Sequence, residues 1–407
     1  MTSSGGTLLL VGAGLLQVPA VETAHRLGLR VVATDQNPKA PALKLADEAV
    51  VLSTKDVDGH IELARALARR CWLRGVYTEG AECAYTVARV AEALGLPGTN
   101  PLAAWRCDNK AEMRRLFAAA GMPGPRFREV CSIGEAYAAF EEIGPPVIIK
   151  PLDSNGSKGT KRIDRAEDLP QAFAVAQSFS TTRTALIEEY LEGPELSVDT
   201  IVYRGRHYRG GICDRHFSYL PYLIETGHTN PTRVPAAVQE EIYRRTAWAA
   251  EIVGIDFGVA KCDFKLTEQY GPTILEMTNR LSGGFDCQYT KPLATGLDLI
   301  KATIDLAIGE ELDEADLIPK WQRVAASTSP FPPPGKIAEI SGVPEARRLP
   351  GVEHIFMLVQ PGDVVEPYVH CVTRVGFVIA AGDTYEQVHE TLDRALRTIR
   401  ITTVAVN

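Results

Sequence analysis

The chain has 407 residues, too many for one small domain, which predicts two or three packed units. Hydrophobic residues make up 45% and charged residues 23%, a globular balance that excludes disordered and fibrous classes. A net charge of -8 excludes a broad face for nucleic acid or anionic membrane and leaves room only for a local basic pocket.

The apolar run from Thr7 to Val21 is broken by Gly12, Gly14, Gln17 and Pro19. It falls short of the ~20 residues of a spanning helix. No Lys or Arg precedes it, so no signal peptide is expected. Leu8–Val11 and Arg30–Thr34 read as buried strands with a helix over Pro19–Leu27 between them. His60–Arg70 and Ala81–Leu94 read as helices around a short strand at Gly75–Thr78. Strands alternating with helices predict a doubly wound parallel sheet, which the breakers from Gly95 to Pro101 bring to an end. Gly12-Ala13-Gly14 and Asp35 resemble part of a dinucleotide fingerprint, but Gln17 stands where the third glycine belongs. The expectation is a doubly wound domain without a nicotinamide cofactor.

Asp108-Asn109-Lys110 opens the next region and leads into a helix over Ala111–Ala120. Pro146–Lys150 reads as a strand, followed by the small, polar loop Ser154-Asn155-Gly156-Ser157-Lys158-Gly159 and a further strand near Arg162. Backbone N–H groups and lysines make that loop a candidate phosphate cradle, although its order is not that of a P-loop. Thr184–Leu191 is strand-like and Pro235–Val253 is a long helix. The Pro-rich stretch Pro330–Gly335 marks a boundary, and a helix over Thr384–Ile399 closes the chain. The eight cysteines are scattered without a Cys-x-x-Cys, the pattern of reduced thiols in a cytoplasmic protein.

Val259–Leu266 and Thr273–Arg280 read as a hairpin. A turn centred between Gln269 and Tyr270 sets Asp263 directly across from Glu276, with Cβ atoms roughly 4.5–5.5 Å apart. Ala260, Cys262, Phe264 and Leu266 form the apolar face; Lys261, Asp263 and Lys265 form the polar one, and period two puts Glu276, Thr278 and Arg280 together. Facing carboxylates repel, and an oxygen-ligated divalent ion, Mg²⁺ where phosphates share the site, would hold them together. The competing reading is a solvated hairpin whose acids pair with Lys261, Lys265 and Arg280.

Taken in order, these segments resemble the ATP-grasp superfamily. The cues are Asp108-Asn109-Lys110, Val147–Pro151 with its Ser/Gly loop, Glu188-Glu189-Tyr190-Leu191-Glu192-Gly193-Pro194-Glu195, Asp263, and Glu276 to Phe285. The resemblance implies an N-terminal doubly wound α/β domain (1–106), a two-subdomain ATP-grasp domain (107–325) and a small C-terminal α+β domain (326–407). It implies ATP and Mg²⁺ as cofactors. Lys110 and Lys150 would meet the phosphates, and Ser154, Gly156, Ser157 and Gly159 would shape a closing flap. Glu188, Glu189, Tyr190 and Leu191 would face the adenine, largely through backbone, and Glu195 the ribose. Asp263 and Glu276 would carry the metal, and Arg280 would stabilise charge on the transferred phosphoryl group. One departure stands out: the superfamily usually has Asn two residues after the second metal carboxylate, where this chain has Thr278, a weaker or water-mediated ligand.

Within the superfamily the chain looks most similar to the L-amino-acid ligases, in which a His such as that of Glu225-Thr226-Gly227-His228 lies near the acceptor site. The expected function is an ATP-dependent carboxylate–amine ligase acting through an acyl phosphate on small molecules such as amino acids. Nucleic acid and membrane are not expected as partners, and a homodimer is compatible with this reading. Three alternatives stand beside it: a bicarbonate-using ATP-grasp carboxylase, a dinucleotide-dependent oxidoreductase, and a nucleotide-binding regulator without catalysis.

Overall fold

The computed structural model describes residues 5–405. Four parallel strands open the chain: β1 (Thr7–Val11), β2 (Arg30–Asp35), β3 (Glu48–Val51) and β4 (Leu73–Tyr77), in the order β3-β2-β1-β4. Successive side chains of β1 point to opposite faces. Leu8 and Leu10 pack towards helix α1 (Val18–Arg26), while Leu9 and Val11 pack towards α2 (Val57–Arg70) and α3 (Ala84–Leu94). Burial on both faces explains the unbroken apolar run, each such side chain contributing roughly 1.5–3 kcal/mol. The Asp35 carboxylate accepts a 2.9 Å hydrogen bond from the Ala13 N–H. It thereby ties down the glycine turn of its own domain.

The next unit begins with α4 (Pro101–Asp108) and α5 (Lys110–Ala119). Asn109 caps α5, its side-chain oxygen accepting from the Glu112 N–H at 3.0 Å, which fixes Lys110 as the first helical residue. An antiparallel sheet follows, built from β5 (Phe127–Val130), β6 (Val147–Pro151), β7 (Lys161–Ile163) and β8 (Ala185–Glu189) in the order β5-β8-β6-β7. Helices α6 (Ile133–Ile143) and α7 (Leu169–Ser178) cover one face, burying Val147 and Ile149; the intervening Ile148 and Lys150 line a cleft on the other.

The opposing wall of that cleft comes from β9 (Glu195–Tyr203), β10 (Arg206–Ser218), β11 (Ile224–Asn230), β12 (Gly258–Thr267) and β13 (Gly271–Thr278). Helix α8 (Ala236–Val253) packs Ile242, Ala249 and Val253 against Val198, Ala260, Cys262 and Phe264. The opposite parity of β12 therefore faces the cleft with Lys261, Asp263 and Lys265. After α9 (Lys291–Thr295), α10 (Leu299–Ala307) returns to the first domain and joins the core beneath β1 and β2.

The last region comprises β14 (Val324–Thr328), β15 (Gly335–Ser341), α11 (Val343–Ala346), β16 (Val352–Met357), β17 (Val364–Val365), β18 (Gly376–Gly382), α12 (Tyr385–Thr398) and β19 (Arg400–Val404). Its strands β14, β18 and β16 extend the cleft-forming sheet into eight strands, ordered β13-β12-β9-β10-β11-β14-β18-β16. A separate small sheet runs β17-β15-β19. The arrangement is the three-domain one expected from the sequence. No helix among the described residues is long and apolar enough to cross a membrane, and all eight cysteines are free.

Candidate active site

The hairpin pairs Asp263 with Glu276 and Lys261 with Thr278. Beyond Asp263 the register slips, Phe264 facing Ile274 so that Leu275 bulges. The carbonyls released there are occupied: Arg114 donates to the Ile274 and Leu275 oxygens, each at 2.7 Å. Strand β13 ends at Thr278, so Arg280 sits on the turn beyond it, where Nη1 donates to the Leu281 carbonyl at 3.0 Å and the side chain still lines the cleft.

Asp263 Oδ1 is buried, with the Lys261 ammonium 2.6 Å away. Arg215 Nη1 stands 3.0 Å from Oδ2. Burial raises the Asp263 pKa, but Arg215 and Lys261 outweigh it and bring it down to about 2. Burial likewise acts on Glu276, where Lys110, 3.8 Å from Oε2, prevails and lowers the pKa despite Asp263 opposite. Two ionised, facing carboxylates in a buried cleft suit an oxygen-loving divalent ion. Mg²⁺ therefore fits here, and Asp263 and Glu276 would hold it; among the described residues no group of three or more His, Cys, Asp or Glu side chains could hold a metal.

Lys110 Nζ donates to the Ser154 carbonyl at 2.6 Å and to Asn155 Oδ1 at 3.4 Å, so it links the base of the Ser/Gly loop to Glu276. Lys150 Nζ lies 2.6 Å from Glu188 Oε2, and Arg114 Nε donates to Glu188 Oε1 at 2.5 Å. Burial pushes the Glu188 carboxyl up, yet the two cations hold it at about 2. Glu188 thus anchors Lys150. The N–H groups of Glu189 and Tyr190 donate to the Arg126 and Pro146 carbonyls at 2.9 and 3.2 Å. That leaves Leu191 and the carbonyls as the backbone available to a base along this linker.

Glu195 receives Lys265 at 3.0 Å and Arg215 at 3.3 Å; burial nevertheless raises its pKa. Arg215 also reaches Glu225 at 3.0 Å. His228 is buried, with Nε2 2.8 Å from Thr290 Oγ1 and 4.0 Å from Asp286 Oδ1, and burial lowers its pKa. Asp286 is itself bound by Lys291 at 2.5 Å and Asn230 at 2.7 Å.

These walls enclose a cleft of about 380 Å³. It brings together Lys110, Lys150, Ser154, Gly156, Ser157, Glu188, Glu189, Tyr190, Leu191, Glu195, His228, Asp263, Glu276 and Arg280. Thr278 and Gly159 do not line it. Thr278 is buried with Oγ1 3.5 Å from the Arg280 carbonyl. Gly159 packs against Pro151, Phe179 and Ala176 at a φ of +68°. Arg215 and Arg374 also line the cleft and carried no sequence signal, and Glu225 was quoted only as the start of the stretch leading to His228; strand pairing and the return of the last domain deliver them to the cleft. Lys261 was legible only as part of the hairpin's polar face.

Residues 143–288 match the ATP-grasp domain family, residues 21–98 the ATP-grasp N-terminal domain, and residues 330–404 the L-amino acid ligase C-terminal domain 2. With the three-domain fold and this cleft, the matches define an ATP-grasp ligase. The chain belongs to the ATP-grasp superfamily. An uncharacterized protein of Sinorhizobium fredii is 27% identical over 93% of this chain and 79% of its own length. A formate-dependent phosphoribosylglycinamide formyltransferase of Synechococcus sp. is 31% identical over 52% of this chain, which spans 54% of that relative. The crystal structure of an L-amino acid ligase from Bacillus licheniformis shares the fold with a TM-score of 0.84 at 21% identity, covering 99% of this chain and 100% of that one.

Proposed function

We propose that the chain is an ATP-dependent carboxylate–amine ligase that forms an amide through an acyl phosphate and releases ADP and phosphate. One observation carries the reading. Asp263 and Glu276 face each other in a cleft into which Lys110, Lys150 and Arg280 also project. Phosphoryl transfer asks a protein for alignment and charge neutralisation rather than covalent chemistry. Lys110 and Lys150 hold the phosphates, and Leu191 with the linker carbonyls meets the base, beside Glu195 on the ribose. Asp263 and Glu276 would hold Mg²⁺, which supplies further neutralisation of phosphate charge. Arg280 stabilises the charge that develops as a substrate carboxylate takes the γ-phosphoryl group. An amine then displaces phosphate, and His228, fixed by Thr290, borders that acceptor side. The loop from Ser154 to Gly159 closes over the cleft and keeps water from the acyl phosphate. The L-amino acid ligase matches in fold and C-terminal domain support small amino acids as substrates.

The test is a screen of amino acids, singly and in pairs, for ATP-dependent phosphate release. With the right carboxylate and no amine, hydroxylamine should trap a hydroxamate. Arg280→Ala should bind ATP yet lose roughly 10²–10³ in the rate of trapping. AMP and pyrophosphate as products, or turnover that needs bicarbonate and no added carboxylate, would overturn the reading.

A further inference from the structure

We infer that Lys261 is a resident cation of the metal site: its ammonium takes the place of a second divalent ion, so the site binds one. The inference rests on the reading that Asp263 and Glu276 hold a metal beside ATP. The hairpin makes two successive cross-strand pairs, Asp263–Glu276 and Lys261–Thr278, and all of these residues but Thr278 line the cleft. The first is a pair of carboxylates. The second offers a hydroxyl directed to the Arg280 carbonyl and an ammonium, neither of which completes a metal shell.

Lys261 is held where a cation acts. It is 6% exposed, lines the cleft, and stands 2.6 Å from Asp263 Oδ1. It therefore places a fixed positive charge against the Asp263 carboxylate. On its other flank Lys261 pairs in register with Asp199, whose oxygens are committed elsewhere. Asp199 Oδ1 accepts from the Ser282 N–H at 2.9 Å, and Oδ2 accepts from Ser282 Oγ and Lys291 Nζ, each at 2.6 Å. Among the described residues the ion pair of Lys261 is with Asp263 alone. An ammonium has three donors and no acceptor, so those that Asp263 does not engage remain for oxygens of a bound polyphosphate. A second divalent ion on the same side of Asp263 would meet this fixed charge at close range, with Arg215 already on Oδ2. Among the described residues no third carboxylate joins Asp263 and Glu276 to hold it.

The experiment counts Mn²⁺ by electron paramagnetic resonance on the full chain saturated with a non-hydrolysable ATP analogue. The wild type should bind one ion per chain. Lys261→Asn, which exchanges the ammonium for an oxygen ligand beside Thr278, should bind two. Lys261→Met, which keeps the packed stem, should still bind one ion while its affinity for the analogue falls at least about tenfold, the scale of one lost charge-assisted bond. Two ions in the wild type overturn the inference, as does an unchanged nucleotide affinity in a folded Lys261→Met chain or one ion in a folded Lys261→Asn chain. The wild-type count decides even where a variant fails to fold. A wild type that binds no Mn²⁺ and no analogue would instead overturn the functional reading, a distinct result.

Discussion

Glu188 shows how a single carboxylate organises the phosphate side of the cleft. It is buried between Arg114 and Lys150, and it leaves Lys150 in a setting where burial, together with Arg114 and Lys110, pulls the ammonium pKa down. Lys150→Met keeps the apolar stem and removes the charge. Calorimetric ATP affinity should fall about 10- to 100-fold, the scale of a charged hydrogen bond, with the fold retained. Unchanged affinity would make Lys150 a strut for Glu188 and nothing more. The pH dependence has two opposing arms. Glu188, Asp263 and Glu225 are each brought down to about 2, so their stabilisation is complete above the ordinary carboxylate pKa and is lost as pH falls from about 5 towards 2. Glu79 runs the other way: burial raises it to about 8, so the folded chain keeps a proton that the unfolded chain loses, and stability drains as pH rises from about 5 to 8. Glu79→Gln should therefore raise the urea midpoint at pH 8 while changing it little at pH 5. An equal shift at both values would show that Glu79 is not the group responsible.

The β12–β13 hairpin carries Asp263 and Glu276, and the linker between β8 and β9 crosses its far end. Gly193 makes that crossing at a φ of +133°, and a Cβ there would lie 2.0 Å from the Leu266 carbonyl oxygen. The Leu266 N–H donates to the Pro194 carbonyl at 2.9 Å across the same contact. Gly193→Ala should cost about 1–3 kcal/mol, visible as a lower urea midpoint, and should weaken ATP binding because Leu191 shifts with the linker. A variant with wild-type stability would mean that the linker yields freely. Thr278→Asn tests the neighbouring pair: Asn is larger, and Thr278 is buried and absent from the cleft wall, so the variant should lose stability without gaining Mg²⁺ affinity in a metal titration. Tighter Mg²⁺ use would show that position 278 can reach the metal.

The same hairpin marks how far the sequence could be read. Alternation of apolar and polar residues set Asp263 against Glu276, and the pairing is that one. The bulge at Leu275 was not legible, because the Arg114 guanidinium that takes up the freed carbonyls comes from a helix about 160 residues away. Strands β10 and β11 were missed for a related reason: Arg215, Glu225 and His228 face a polar cleft, so no apolar alternation announces them. Helix α10 leaves no trace of its partner in the sequence, since an amphipathic pattern says that a face is buried and not against what.

At the scale of the whole molecule, the cleft belongs to no single domain. The loop from Ser154 to Gly159 rises from the β6–β7 sheet and meets both ends of the chain. Lys158 Nζ lies 3.5 Å from Glu82 Oε1 of the first domain. On the other side the Cys371 N–H donates to the Gly156 carbonyl at 3.0 Å, and Arg374, two residues past Val372, donates to the Glu225 carbonyl at 3.3 Å. A partly exposed pair such as Lys158–Glu82 is worth little, about 0–1 kcal/mol. Nucleotide bound on Lys110, which already bonds the Ser154 carbonyl, would add to those contacts from within. Closure should then register on both partners at once. In hydrogen exchange followed by mass spectrometry, a non-hydrolysable ATP analogue with Mg²⁺ should slow exchange in peptides covering residues 154–160 and also 370–374. Glu82→Gln should weaken the effect in the loop while leaving residues 370–374 protected through Gly156. Protection confined to the loop would show that it closes independently, and that the last domain contributes Arg374 to the cleft without sensing the nucleotide.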